Sequence, residues 1–187
     1  RAEETSTLAL NALDQIFDRF APDQAVVLTS TTDDNESSPA VVSDETAALL
    51  EDLLEFYDQL GKSDDDDLQL AIKRAEARRR VGDIRQRLGR HEDAIRSYGE
   101  SLTRYDALRE RGVGQAETFA ITQARILNGI GTSQRMINQQ AAATRSHQQA
   151  LATIETHFGK PVSNDGADFE LARTHYLLAW RLRPGEG

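Results

Sequence analysis

Two stretches decide the fold. The first is Gly82-Asp83-Ile84-Arg85-Gln86-Arg87-Leu88-Gly89-Arg90-His91-Glu92-Asp93-Ala94-Ile95-Arg96-Ser97-Tyr98-Gly99-Glu100-Ser101. The second is Gly131-Thr132-Ser133-Gln134-Arg135-Met136-Ile137-Asn138-Gln139-Gln140-Ala141-Ala142-Ala143-Thr144-Arg145-Ser146-His147-Gln148-Gln149-Ala150. In each, a glycine is followed 12 residues later by Ala94 or Ala143, then by a ring, Tyr98 or His147, then by a small residue, Ser101 or Ala150. Apolar positions keep the same register: Val81 matches Ile130, Leu88 matches Ile137 and Leu102 matches Leu151. A third copy places Ala179 at the glycine position, so the small residues fall at 82, 131 and 179. Each unit reads as a pair of antiparallel helices. A small residue late in the first helix lets the second approach closely, the alanine is expected to meet it, and the ring fills the wedge between neighbouring pairs. One pair cannot bury both of its faces, so the pairs are expected to stack.

Outward from this repeat, helical spacing continues in both directions. Leu8, Leu10, Leu13, Ile16, Phe17 and Phe20 form a first stripe that ends at Ala21-Pro22. The polar stretch from Thr29 to Pro39 carries no apolar period and reads as a mobile loop within 21–43. Ser43 is a suitable N-cap for a helix carrying Leu49, Leu50, Leu53, Leu54, Phe56, Tyr57 and Leu60. Helices are then expected at about 66–88, 91–110, 115–138, 140–157 and 167–183, separated by Gly89-Arg90, Gly112-Val113-Gly114, Asn138-Gln139 and the Gly159–Gly166 segment. The expectation is an all-α chain of about seven helices in one domain spanning 1–187. Its parts are a first pair over 4–60, repeat units at about 66–110 and 115–157, and a truncated unit at 167–183.

Composition removes several functions. No cysteine is present, which excludes disulfides, thiolate metal sites and a cysteine nucleophile. The net charge of -9 disfavours nonspecific attraction to nucleic acid or to an anionic bilayer. That charge is uneven, because residues 1–67 hold 18 acidic and 3 basic side chains while the remainder is net basic, most densely from Lys73 to Arg90. Neighbouring helices pairing across these faces is the simplest account, with a basic partner-binding face as the alternative. No apolar run approaches membrane-spanning length. The start at Arg1 and the end at Pro184-Gly185-Glu186-Gly187 lead us to expect a piece of a longer protein.

The order of small residue, alanine and aromatic resembles the tetratricopeptide repeat, with two departures. Arg78 and Arg85 replace the usual large residues of the first helix in one unit, and the period exceeds the usual length. A more specific likeness lies in Leu49-Leu50-Glu51-Asp52-Leu53-Leu54-Glu55-Phe56-Tyr57 followed by Ala75-Glu76-Ala77-Arg78-Arg79-Arg80-Val81-Gly82-Asp83-Ile84-Arg85-Gln86-Arg87-Leu88-Gly89. This resembles the tetratricopeptide-like C-terminal region of planctomycete-type bacterial serine/threonine protein kinases. The resemblance implies a right-handed stack of helix pairs, a kinase domain upstream, often a membrane span, and a sensing or docking role for the helical region. The kinase machinery is missing from the sequence given: it has no glycine-rich phosphate loop, no His-Arg-Asp phrase and no Asp-Phe-Gly, and His157-Phe158-Gly159 lacks the magnesium-holding Asp.

Catalytic, metal and cofactor residues are therefore expected to be none. His91, His147, His157 and His175 show no metal-ligand spacing; His147 and His175 fall at repeat packing positions and His91 and His157 at helix ends. Asp64 to Asp67 lack the glycine and distal glutamate of a calcium loop. A binding surface is the better candidate. With first helices lining a concave wall, steps of three and four expose Glu76, Arg79 and Asp83, then Arg125, Asn128 and Thr132, then Arg173, Tyr176 and Trp180. Of these, Arg79, Arg125, Asn128, Arg173, Tyr176 and Trp180 are the candidate partner contacts, since guanidinium and amide groups suit a peptide and an aromatic ring anchors one. The expected function is non-catalytic docking of a peptide or protein, with a self-association scaffold that dimerises the parent protein as the alternative. Neither nucleic acid nor membrane insertion is expected.

Overall fold

The computed structural model describes residues 68–112, 115–162 and 164–179, with Ala48, Asp52 and Glu55 as isolated helical positions. The loop expected at 21–43, nearly all of the first helix pair, the acidic run Asp64–Asp67 and Trp180 lie outside the described residues. Contacts divide the chain into two units, Arg1–Leu53 and Leu54–Gly187, and the five helices described below belong to the second. They are α1 (Leu68–Arg87), α2 (His91–Glu110), α3 (Ala116–Met136), α4 (Gln140–Phe158) and α5 (Asp165–Ala179). The described residues are all helix and connection, with no strand. Where the expected boundaries fall among the described residues, they hold to within a few residues. The last helix starts earlier than expected because Asn164 caps it: its Oδ1 accepts from the backbone N–H of Gly166 and Ala167, both at 3.1 Å.

Two tight turns join α1 to α2 and α3 to α4 in one register. Gly89 (φ 73°) and Asn138 (φ 62°) adopt the left-handed conformation that stops a helix. After each, the next backbone N–H reaches back to close the helix end, Arg90 to the Arg85 carbonyl and Gln139 to the Gln134 carbonyl, both at 2.8 Å. Asparagine tolerates this conformation better than other side-chain-bearing residues, so the turn survives the loss of glycine. Turns of like geometry thus stand 49 residues apart in the chain.

Each helix packs on its neighbour in sequence, and α1 also touches α3, which also touches α5, while α2 and α4 make no contact. Alternate helices therefore form one continuous row. The helix at its centre, α3, buries opposite sides. Phe119, Ile126 and Ile130 join Ala75, Ala94, Tyr98, Tyr105 and Leu108 in one core, and Ala124 joins Ala150, Ile154 and Ala167 in another. Tyr105 and Phe119 meet edge to face, with centroids 5.2 Å apart.

Ring side chains, not alanines, set the close helix approaches. A Cβ built at Gly82 would lie 2.5 Å from Tyr98 Cδ1, and one at Gly131 would lie 2.5 Å from His147 Cε1. The expectation that Gly82 faces Ala94 and Gly131 faces Ala143 is corrected accordingly: both alanines are buried, but the ring four residues further along lies over the glycine. One helical turn separates the two positions, and the bulkier group takes the larger gap. Tyr98 is confined on a second side as well, since a Cβ at Gly129 would sit 2.7 Å from its Cζ. One phenol ring thus fills the space between α1 and α3.

Gly129→Ala should lower stability by about 1–3 kcal/mol through overpacking, although alanine gains up to about 1 kcal/mol in helix propensity. Gly99, also helical, has nothing within 4 Å of a built Cβ. Gly99→Ala should therefore stabilise by about 0.5–1 kcal/mol. Urea midpoints at unchanged m-value check both, and a destabilised Gly99 variant or a stabilised Gly129 variant would contradict the assigned contacts.

Candidate functional site

The row formed by α1, α3 and α5 carries two polar clusters. On α1, Arg79 is 2% exposed, and its Nε donates to both oxygens of Glu76 at 3.1 Å while its Nη1 donates to Asp83 Oδ2 at 2.7 Å. These partners stand three and four residues away, the spacing at which helical side chains meet. The hydroxyls of α2 complete the chain: Tyr105 donates to Glu76 Oε2 at 3.0 Å and Tyr98 donates to Asp83 Oδ1 at 2.7 Å. Burial alone would raise the Glu76 carboxyl, but the charge and hydrogen bonds of Arg79, with Arg80 and Tyr105, hold it down at about 2. Burial followed by the adjacent carboxylates pushes both phenols up, so they stay protonated and donate.

The second cluster joins α3, α4 and α5 around Glu170, which is fully buried. Arg125 Nε donates to Glu170 Oε1 at 3.0 Å, Asn128 Nδ2 approaches Oε2 at 3.5 Å, and Arg173 Nη1 lies 3.7 Å from Oε2. Asn128 Nδ2 also donates to Thr174 Oγ1 at 2.8 Å, and the Thr174 hydroxyl donates to the Glu170 carbonyl at 2.6 Å. With its nitrogen so used, Asn128 turns its Oδ1 toward His147 Nδ1 at 3.1 Å. That oxygen only accepts, so the His147 proton sits on Nδ1. Burial, then the charges of Arg135 and Arg173, lower the His147 pKa to about 4 and keep the ring neutral. Between the clusters, Gln86 Nε2 donates to the Gly129 carbonyl at 2.9 Å and to Ser133 Oγ at 2.8 Å, tying α1 to α3.

The residues selected from the sequence separate into three settings. Arg79 and Asn128 are internal, so the exposure expected for Arg79, Glu76 and Asp83 as a set is corrected: the two acids clamp the arginine inside the wall. Arg125 and Arg173 are partly exposed and meet at Glu170. Tyr176 is 39% exposed on α5. Of the two histidines expected at packing positions, His147 is buried and His175 is exposed, because no described helix covers that side of α5. Glu170 was missed, although it shares a buried helical stripe with Ala167, Thr174 and Leu177 and is the one acid in it. Among the described residues no three His, Asp or Glu gather as a metal set, and no helix is long and apolar enough to cross a membrane. A groove of about 580 Å³ lies where Arg109 of α2, Phe119 and Gln123 of α3, and Ala152 and Thr156 of α4 meet.

Arg125→Ala should cost about 1–3 kcal/mol, since it removes the nearest counter-charge of a buried carboxylate. Thermal melts would show it, and an unchanged melting temperature would contradict the pairing. Acid should weaken the fold in two windows. His147 has a folded value near 4 against 6.5 for an ordinary histidine, so its neutral form contributes stability above pH 6.5 that is lost as pH falls toward 4. Glu76, near 2 against 4.5, contributes stability above pH 4.5 that is lost as pH falls toward 2. His147→Gln should therefore flatten the decline of the upper window, by about 1–3 kcal/mol across it, and leave the lower one in place. Compared with known proteins, the chain matches no protein-family model, no curated protein and no solved structure.

Proposed function

We propose that this chain is a non-catalytic, tetratricopeptide-like interaction module, a right-handed stack of helix pairs that docks a peptide or protein along its concave row of first helices. The observation that carries this reading is the contact of α1 with α3 and of α3 with α5 while α2 and α4 stay apart, which aligns three first helices in one wall. In such a stack the wall is a rigid surface that needs little ordering on binding. Contacts to a partner come from the groups of this row that reach solvent, Arg125, Arg173 and Tyr176, with Trp180 as a further anchor. Arg79 and Asn128 hold the wall from inside. The likeness to the helical region of bacterial serine/threonine kinases supports a docking or sensing role in a signalling protein.

Selection of peptides from a displayed random library against the folded chain tests this reading. Tyr176→Ala should weaken a recovered peptide by about 1–2 kcal/mol, roughly a factor of 5–30, with an unchanged melting temperature. Peptides indifferent to Tyr176 and Arg173 would remove the wall as the docking face. Self-association makes a different prediction, a particle mass in light scattering that rises with concentration and falls with added salt. A monomer under all these conditions removes that alternative.

A further inference from the structure

The two clusters of the row differ in how far they satisfy themselves. Arg79 is held by two carboxylates, whereas the single carboxylate of Glu170 serves both Arg125 and Arg173. Arg125 takes the hydrogen bond at 3.0 Å, and the 3.7 Å from Arg173 Nη1 is too long for one. Arg173 Nε is buried and has no acceptor among the described residues. In the same cluster, His147 is 3% exposed, and its Nε2 is buried without a hydrogen-bond partner among the described residues. Asn128 ties that ring to the same turn of α5 through Thr174 and Glu170. A guanidinium nitrogen without an acceptor and an imidazole lone pair without a donor are thus linked through Asn128 and Glu170, and the Arg173 side chain is 17% exposed.

We propose that Arg173 and His147, with the charge of Arg135 beside them, form a binding site for a phosphate group at the joint of α3, α4 and α5. The chemistry selects this ion. Unfilled guanidinium donors call for an anionic oxygen, and the Nε2 lone pair, with the ring proton committed to Asn128, calls for an O–H. A phosphate that carries a proton supplies both, a carboxylate supplies acceptors alone, and sulfate at neutral pH carries no proton. The groups also come from three helices, which suits a tetrahedral anion whose oxygens diverge better than a planar one. The charged groups facing His147 are Arg135 from α3 and Arg173 from α5, with Glu170 one side chain further and Tyr176 acting on Arg135. An anion set among these cations reverses the field on the imidazole, so the proton shared between phosphate and Nε2 is retained and binding takes up protons.

This site deepens the docking reading by naming what the wall holds, and a small ion measures it without any partner peptide. Calorimetric titration of the whole chain with inorganic phosphate, at matched ionic strength, should show saturable binding that sulfate and acetate do not reproduce. Affinity should rise several-fold from about pH 7.5 to about pH 6, the range in which inorganic phosphate gains a proton. Arg173→Gln should weaken binding about tenfold. The melting temperature, taken alongside, separates this loss from unfolding. Arg173→Lys, which keeps the charge, should recover part of the affinity. A phosphoserine peptide that binds much more tightly than both inorganic phosphate and its unphosphorylated form assigns the ligand to a phosphorylated partner, and equal affinities assign it to the free ion. Absence of binding by phosphate and phosphopeptide alike, equal binding of acetate, or full affinity in Arg173→Gln would overturn the site. Phosphate binding without any selected peptide would instead leave the site standing and remove the docking wall.

Discussion

The placement of the Tyr98 ring between two glycines is the constraint on which the rest depends. Gly82 lies under one side and Gly129 under the other, so the ring fixes the separation of α2 from α1 and of the first pair from α3 at once. A fully buried aromatic is a large apolar contribution, but its hydroxyl must still find a partner. Asp83, one residue beyond Gly82, supplies it at 2.7 Å. That acid needs a cation, and Arg79 stands one turn earlier; Arg79 in turn holds Glu76, which receives the hydroxyl of Tyr105. The packing of a single ring therefore requires a string of charges inside the helix row. Every member is matched, which is the condition under which buried charge is tolerated.

Much of this frame was legible in the sequence because it rests on local rules. The spacing of Gly82, Ala94 and Tyr98 and its copy at Gly131, Ala143 and His147 marks two hairpins, and the positive φ of Gly89 and Asn138 closes them alike. What could not be read is which side of a helix a third helix covers. Steps of three and four group Glu76, Arg79 and Asp83 correctly, yet burial of Arg79 depends on tyrosines of α2 reached only after folding. Glu170 escaped notice for the same reason, since its partners Arg125 and Asn128 lie 45 and 42 residues away. The substitution of ring for alanine over each glycine is a subtler case. Both candidates lie on one face of the second helix, and only side-chain reach decides between them.

Tyr98 and His147, 49 residues apart, use their polar atoms differently. At the first joint a tyrosine fills the gap, and its hydroxyl ends on an acid already bound to Arg79. At the second joint His147 holds that position, and the residue corresponding to Asp83 is Thr132 rather than an acid. The imidazole carries two nitrogens, and Asn128 engages one of them. The other has no hydrogen-bond partner among the described residues. Exchanging phenol for imidazole thus replaces an inert, always protonated filler with a group whose proton depends on its surroundings.

Charge balance sharpens this difference between the joints. Around Arg79 there are two carboxylates for one buried guanidinium, with Arg80 3.5 Å from Glu76 adding a second cation. Around Glu170 two guanidinium groups approach one carboxylate, and the more distant of them is partly open to water. An incoming anion at the first joint would have to displace a carboxylate hydrogen-bonded at 2.7 Å, whereas at the second the Nε of Arg173 has no acceptor among the described residues to give up. Desolvation, the main cost of binding an ion, has also been met there in part by the fold, because Arg173 is already mostly out of water. Among the described residues, the Glu170 joint thus sets two guanidinium groups against one carboxylate, a balance that the Arg79 joint does not share.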